Sequence, residues 1–348
     1  MRALLAIVVV VAAGCGSPLV VSDRHDVARD RESVNTYATG AVVTFFVRST
    51  SILVDAEQLA GSSSDESVLT VLDGVGGVMQ IQTVAAGSAE LVFRVDGNVV
   101  DSRRINVVDP ASVTLTQEAF RRADNDLLPP PTTMTEPLLA LRGREARFIV
   151  HVADAAGTEL FGNALTSASV SDLTGADAWT TAIEAEGPYS ALVISPTAAA
   201  TSGTLRLQVG GPLLTVGIAV EGRDVSAIER VLMTEGGADN ARSVGQRSLV
   251  YARAEDATGA TLFGSPGWQL EGQDVGISFA VEYKVGFAVQ GQELVARLGG
   301  VEARRTVYAE AGSVAAVSSC AQGGETAAIA LVACGVLGVF RRRSPRPR

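Results

Sequence analysis

Polar and apolar residues alternate with a period of two along much of the chain. Ala89, Leu91, Phe93 and Val95 alternate with Glu90, Arg94 and Asp96. Leu205, Leu207 and Val209 alternate with Arg206 and Gln208, and Leu294, Ala296 and Leu298 with Glu293 and Arg297. This period sends one face of each segment into a core and the other into water, which predicts half-buried strands. Asp96-Gly97-Asn98, Gly210-Gly211-Pro212 and Gly299-Gly300 stand where a tight hairpin leads into a final strand. The strands they predict begin at Val99-Val100, Leu213-Leu214-Thr215-Val216 and Ala303-Arg304-Arg305-Thr306-Val307-Tyr308. No amphipathic helix of ten or more residues is evident in the body.

The pattern is also repeated. Asp154-Ala155-Ala156-Gly157-Thr158-Glu159-Leu160-Phe161-Gly162 matches Asp256-Ala257-Thr258-Gly259-Ala260-Thr261-Leu262-Phe263-Gly264 at six of nine positions, with an offset of 102. Upstream of each copy a glycine precedes a strand: Gly143 before Ala146–Val150, and Gly245 before Ser248–Tyr251. Gly40 before Val43–Val47 takes the same place one period earlier. Downstream, Gly87–Phe93, Ser202–Val209 and Gly291–Arg297 correspond. Ala123-Asp124-Asn125 and Ala238-Asp239-Asn240 correspond near unit starts, and Pro129-Pro130-Pro131 marks an insertion in the second unit. Three units follow, over 33–108, 111–221 and 226–310. Units of this length, built of short strands and frequent turns, predict an all-β chain of three tandem two-sheet sandwiches.

In the first unit, Ser63-Ser64-Asp65-Glu66-Ser67-Val68-Leu69-Thr70-Val71 followed by Ala85-Ala86-Gly87-Ser88-Ala89-Glu90-Leu91 resembles the bacterial Ig-like (Big) domain family. The other two units lack the first half of that pattern. Trp268, just after Gly264-Ser265-Pro266-Gly267, suits the core tryptophan of an Ig strand C, without an accompanying cystine. The resemblance implies Ig-like sandwiches, a spacing or adhesive role, and no catalytic residue.

Composition fixes the setting. Of 348 residues, 47% are hydrophobic and 19% charged, so a packed core must form, and 36 Gly with 12 Pro fall well below collagen-like levels. The first fourteen residues and the tail from Gly324 together hold six of the 28 basic residues and one of the 38 acidic ones, which leaves the body a formal charge of −15. Such a body repels phosphate backbones and anionic headgroups, so nucleic acid is excluded as a partner. The three cysteines are Cys15, Cys320 and Cys334, so no disulfide can staple an interior unit.

The two ends carry targeting signals. Met1-Arg2, the apolar run Ala3–Ala13 and then Gly14-Cys15 resemble a bacterial lipoprotein signal, which implies removal of 1–14 and lipidation of Cys15. A plain secretory signal is the alternative. Residues 15–32 read as a linker. At the other end, Ser318-Ser319-Cys320 in a linker over 311–325 precedes an apolar stretch at 326–340 and an arginine-rich tail at 341–348. This order resembles the MYXO-CTERM class of sorting tails. That resemblance implies processing near Cys320 and cytoplasmic retention of Arg341, Arg342 and Arg343, which orient the hydrophobic helix by the positive-inside rule. A simple C-terminal membrane anchor is the other reading.

Chemistry is sparse. His25 and His151 are the only histidines, and no G-x-S-x-G, H-E-x-x-H, Walker or dinucleotide motif is present. Asp124-Asn125-Asp126 and Asp239-Asn240 read as turn formers rather than Ca²⁺ ligands, since no complete calcium loop surrounds them. Trp179 and Tyr189 read as sandwich core, with a sugar-binding face as the alternative. The sequence therefore predicts a non-enzymatic surface lipoprotein without cofactor or metal, serving as spacer or adhesion module. Its partners are the membrane, through a lipid anchor, the C-terminal helix or both, and a protein or glycan ligand. Its place is the cell envelope, at the outer membrane or surface of a Gram-negative bacterium. A carbohydrate- or peptidoglycan-binding envelope protein is the competing class.

Overall fold

The computed structural model describes residues 19–23, 36–49, 52–53, 59–75, 77–117, 132–172, 178–186, 189–211, 213–235, 244–245, 247–287 and 290–316. The signal segment, Cys15, His25, the acidic turns at 124–126 and 239–240, the Pro-rich insertion, Cys320, the hydrophobic stretch and Arg341–Arg343 all lie outside the described residues.

Three all-β sandwiches follow one another. Unit 1 holds β1 (Leu19–Asp23), β2 (Thr36–Ala38), β3 (Val42–Ser49), β4 (Ile52–Leu53), β5 (Leu59–Ser63), β6 (Leu69–Val75), β7 (Val78–Thr83), β8 (Gly87–Val95) and β9 (Asn98–Val108). One sheet has the order β1-β3-β7-β6 and the other β2-β9-β8-β5. Thus β1, inside the segment read as a linker, pairs along its length with β3 and supplies the unit's first strand.

Unit 2 repeats this arrangement. Its strands are β10 (Ser112–Gln117), β11 (Thr132–Thr133), β12 (Leu138–Leu141), β13 (Ala146–Ala153), β14 (Glu159–Leu160), β15 (Leu165–Asp172), β16 (Trp179–Glu186), β17 (Tyr189–Pro196), β18 (Ser202–Val209) and β19 (Leu214–Arg223). The sheets run β11-β10-β13-β17-β16 and β12-β19-β18-β15. In both units one short early strand, β2 or β12, lies parallel to the last strand, whereas its neighbours in the sheet pair antiparallel. The chain switches sheets on entering β2 or β12 and again between its later strands, which is the Ig-like topology.

Unit 3 varies the scheme. It comprises β20 (Arg230–Glu235), β21 (Arg247–Glu255), β22 (Thr261–Leu262), β23 (Gly267–Leu270), β24 (Gln273–Ile277), β25 (Ala280–Lys284), β26 (Gln292–Leu298), β27 (Val301–Val307) and β28 (Ala315–Ala316). Here β24 stays in the sheet of β23, giving β24-β23-β26-β27, and the vacant edge of β25 is taken by β28 from the end of the unit.

The hairpins at Asp96-Gly97 and Gly299-Gly300 close as two-residue turns, the one after Val209 closes over four residues, and all three have left-handed backbone where the sequence places them. The φ values are +52° and +76° at Asp96-Gly97, +65° and +70° at Gly210-Gly211, and +59° and +88° at Gly299-Gly300. In the two-residue turns both positions need φ above zero to follow the strand twist, which glycine adopts freely and Asp96 tolerates at the first of them. The predicted inward residues are core: Leu91, Phe93, Leu205, Leu207, Val209, Leu294, Ala296 and Leu298 are buried. Trp268 is buried on β23, and its Nε1 donates to the Ser278 carbonyl at 2.7 Å. In unit 3 the Glu235 carboxylate joins the sheets, accepting two bonds from Arg305, at 3.0 and 2.7 Å, and others from Ser248 and Tyr283.

One hydrogen bond marks the same end of every unit. The amide of Gly40 donates to Thr83, that of Gly143 to Pro196 and that of Gly245 to Val285. At this end, in units 1 and 2, the next unit docks.

Candidate functional site: the joints between units

The nonapeptide found twice in the sequence is the piece that docks. Its aspartate folds it locally: Asp154 Oδ1 accepts from the amides of Ala156 and Thr158, and Asp256 Oδ1 from those of Thr258 and Ala260. Such side-chain bonds to the following backbone hold a turn. The Asp256 carboxyl is held below its ordinary value first by the Thr258 hydroxyl and then by the two amides, against an opposing desolvation. After the turn, Leu160 and Leu262 pair back on β13 and β21 and enter their own cores.

The phenylalanines that follow leave their own unit. Phe161 pairs in parallel with Tyr37 of unit 1, and Phe263 with Ala140 of unit 2. The bonds repeat position by position. Phe161 N donates to Thr36 and Ala38 N to Phe161 O, at 3.3 and 3.0 Å; Phe263 N donates to Leu139 and Leu141 N to Phe263 O, both at 2.8 Å. Two residues on, Asn163 N donates to Val42 and Ser265 N to Glu145. Units 2 and 3 thus each add their own backbone to the short strand, β2 or β12, of the unit before.

The side chains are exchanged as well. Phe263 packs in the core of unit 2, edge-on to Phe148 with ring centroids 5.0 Å apart, and Phe161 packs against the core of unit 1. In return, Ala38 and Ala41 of unit 1 belong to the core of unit 2, and Leu139 and Leu141 of unit 2 to that of unit 3. Strand alternation explains this. Tyr37, Leu138 and Ala140 face their own core, so the residues between them face the successor. The short strand is a wall shared by two cores.

Close backbone approach needs glycine at the first joint. A Cβ on Gly40, at φ +77°, would lie 2.7 Å from the Gly210 carbonyl carbon, and one on Gly162, at φ +98°, would lie 2.6 Å from the Ala41 Cβ. Neither space nor backbone admits a side chain. The linkers are short, with Asp109–Ala111 between β9 and β10 and Asp224–Glu229 between β19 and β20. Thr39 Oγ1 donates to Asp109 Oδ1 at 2.7 Å, and Asp224 caps a 3₁₀ turn at Val225–Ala227.

His151 lies at the first joint. Its Nδ1 is 2.7 Å from Glu159 Oε1 and its Nε2 is 2.8 Å from Thr116 Oγ1. Its ring stands 4.9 Å from that of Tyr189, which lies 5.8 Å from Phe161. Hydroxyl, imidazole and carboxylate form a row that the strand alternation around His151 gave no sign of. Thr116 is buried in the sheet, so its hydroxyl is not presented to a substrate. The row ties β10, β13 and β14 together behind Phe161.

Trp179 is buried in the core of unit 2, and Tyr189 is half-buried in this joint, so the two make no exposed sugar platform. Among the described residues no three His, Cys, Asp or Glu side chains group as metal ligands. Cys15, Cys320, Arg341, Arg342 and Arg343 lie outside those residues.

No protein-family model matches the chain, and no curated protein matches it. Solved structures with similarity include domains 4–9 of the surface layer protein SbsC, at 14% identity and TM-score 0.31, over 84% of this chain and 47% of that one. The chain thus spans about half the length of that fragment. The Escherichia coli adhesin FdeC matches at 14% identity and TM-score 0.24, over 84% of this chain and 97% of that one. The I9–I11 tandem of titin matches at 11% identity and TM-score 0.19, over 78% and 94%. These structures are only distantly similar in shape, and the Ig-like assignment stands on the sheet order itself.

Proposed function

We propose that the chain is a non-enzymatic surface spacer, a short stiff rod of three Ig-like units that holds its far end away from the cell envelope. The joints carry this reading. Domains of one chain move relative to each other by default unless a large apolar interface joins them, and here each pair of neighbours shares core side chains and a strand. Stiffness is useful to a spacer and superfluous to a chain of independent binding modules. The glycan-binding alternative loses its aromatic pair, since Trp179 is core and Tyr189 belongs to a joint.

Anchoring is assigned to the ends: a diacylglycerol on Cys15, the apolar segment at 326–340, or both, with processing near Cys320 and Arg341–Arg343 held on the cytoplasmic side. The place is the surface of a Gram-negative cell.

Small-angle scattering of the full chain in detergent tests the rod. One maximum dimension, unchanged between low and high salt, is expected. A broad distribution of dimensions would refute a stiff spacer. Mass spectrometry of the mature termini tests the anchors separately.

A further inference from the structure

The end through which units 1 and 2 receive their successors is in unit 3 turned outward, and among the described residues it exposes three large apolar side chains. Phe287 is 87% exposed, Tyr308 51% and Val244 43%. They sit together: Gly245 N donates to Val285 O at 2.7 Å, Gly286 N to Tyr308 O at 3.0 Å, and a Cβ on Gly291 would lie 3.4 Å from the Tyr308 ring. Beside them Lys284 Nζ and Glu310 Oε2 form an ion pair at 2.9 Å.

Among the described residues no further unit covers this end. After β27 the chain crosses it through Tyr308–Glu310, turns, and pairs as β28 on the edge of β25. Ten peptide steps separate Ala316 from Thr326, where the apolar stretch begins. Ten steps reach about 35 Å at most. A bilayer holding that stretch therefore lies within reach of this end and of no other end of the rod.

We propose that Val244, Phe287 and Tyr308 form a foot that rests on the lipid surface, entering the headgroup region where an aromatic ring with a polar tip is favoured. The inference rests on anchoring through the C-terminal segment. It adds that the rod stands on the membrane instead of hanging from a loose tether. The Lys284–Glu310 ion pair fits zwitterionic headgroups.

The test uses the full chain carrying C15S, so that only the tail can anchor it, in phosphatidylcholine vesicles with brominated acyl chains. In F287W, the added tryptophan emission is expected to be largely lost to bromine. In the control V99W, on the β8–β9 hairpin of unit 1, emission is expected to persist. The buried Trp179 and Trp268 are common to both variants. If the protein floats with the vesicles and the F287W emission is unchanged, the foot is refuted and the anchor stands. If it does not float, the anchor is refuted and the foot with it. If sedimentation shows a dimer that F287S dissolves, the end is covered by a second copy and the lipid contact is refuted.

Discussion

The two joints use the same nonapeptide and differ in how deeply its phenylalanine enters the preceding unit. At the second joint Phe263 is 2% exposed and lies against Phe148, and at the first Phe161 is only half-buried. The receiving strand explains the difference. Tyr37 and Ala140 hold equivalent places, each pairing with the incoming phenylalanine. In unit 1 the Tyr37 ring fills its own core, edge-on to Phe45 at 6.3 Å, the position that Phe263 takes against Phe148 in unit 2. Ala140 leaves a slot that the next unit fills, whereas Tyr37 closes the slot and leaves Phe161 to lean on Tyr189. The outward residues follow suit, with Leu139 and Leu141 at the second joint and Ala38 and Ala41 at the first. One docking segment therefore makes a deep plug or a shallow clasp, according to the size of a single residue in its receptor.

Phe263→Ala breaks this contrast most severely. A buried phenylalanine cut to alanine costs about 3–5 kcal/mol, and here the cavity opens in unit 2 although the residue belongs to unit 3. Denaturant unfolding should show both units destabilised, with separation into two transitions. Phe161→Ala removes a ring already partly in water, so a loss of about 1–2 kcal/mol is expected, since the cost scales with the apolar area taken out of water. Equal losses in the two variants would show that depth of insertion does not set the strength of a joint. Ala140→Tyr sharpens the point: it should close the slot and push the second joint toward the behaviour of Phe263→Ala.

Much of this fold was legible in the sequence, and the joints were not. Period-two alternation and the Gly-rich hairpins depend on near neighbours, so local context alone suffices to turn Leu91, Leu207 and Ala296 inward, and all three are fully buried. By contrast, nothing in Leu160-Phe161-Gly162 states which core the ring enters. The repeat revealed that units exist and was silent on what the repeated piece does. One signal was available. Leu138-Leu139-Ala140-Leu141 is apolar at every position, and a strand without a polar face must be covered on both sides. The corresponding Ala241-Arg242-Ser243 in unit 3 is mostly polar, in keeping with a unit on which, among the described residues, no other docks. Two further features rest on distant partners: β1 lies beyond a charged segment from its partner β3, and β28 fills an edge left open because β24 kept to the other sheet.

The His151 row should matter at the first joint alone. At the equivalent place in unit 3 stands Arg253, paired with Glu255 at 3.1 Å. His151→Ala leaves the Thr116 hydroxyl and the Glu159 carboxylate without the imidazole, at a net cost of about 0.5–1.5 kcal/mol for each hydrogen bond lost. Hydrogen exchange should rise in β10 and β14 and at the Ala38 amide, which bonds to Phe161 across the joint. Unchanged protection at Ala38 would mean that the row stiffens unit 2 without supporting the clasp.

The smallest effect concerns the turn that presents the plug. Asp256 is half-buried, and its carboxyl is held below the ordinary aspartate value, first by the Thr258 hydroxyl and then by the amides of Ala260 and Thr258. Because the folded value lies below the unfolded one, this stabilisation is present above about pH 4 and is lost as pH falls through the lowered value. The amide resonances of Thr258 and Ala260 should therefore shift with the Asp256 carboxyl in a single step below the ordinary aspartate value. Asp256→Asn retains an oxygen acceptor and should keep the turn while removing that step. If the step persists in the variant, another carboxyl governs the turn, and the repeated aspartate would be a marker of the docking segment with no part in shaping it.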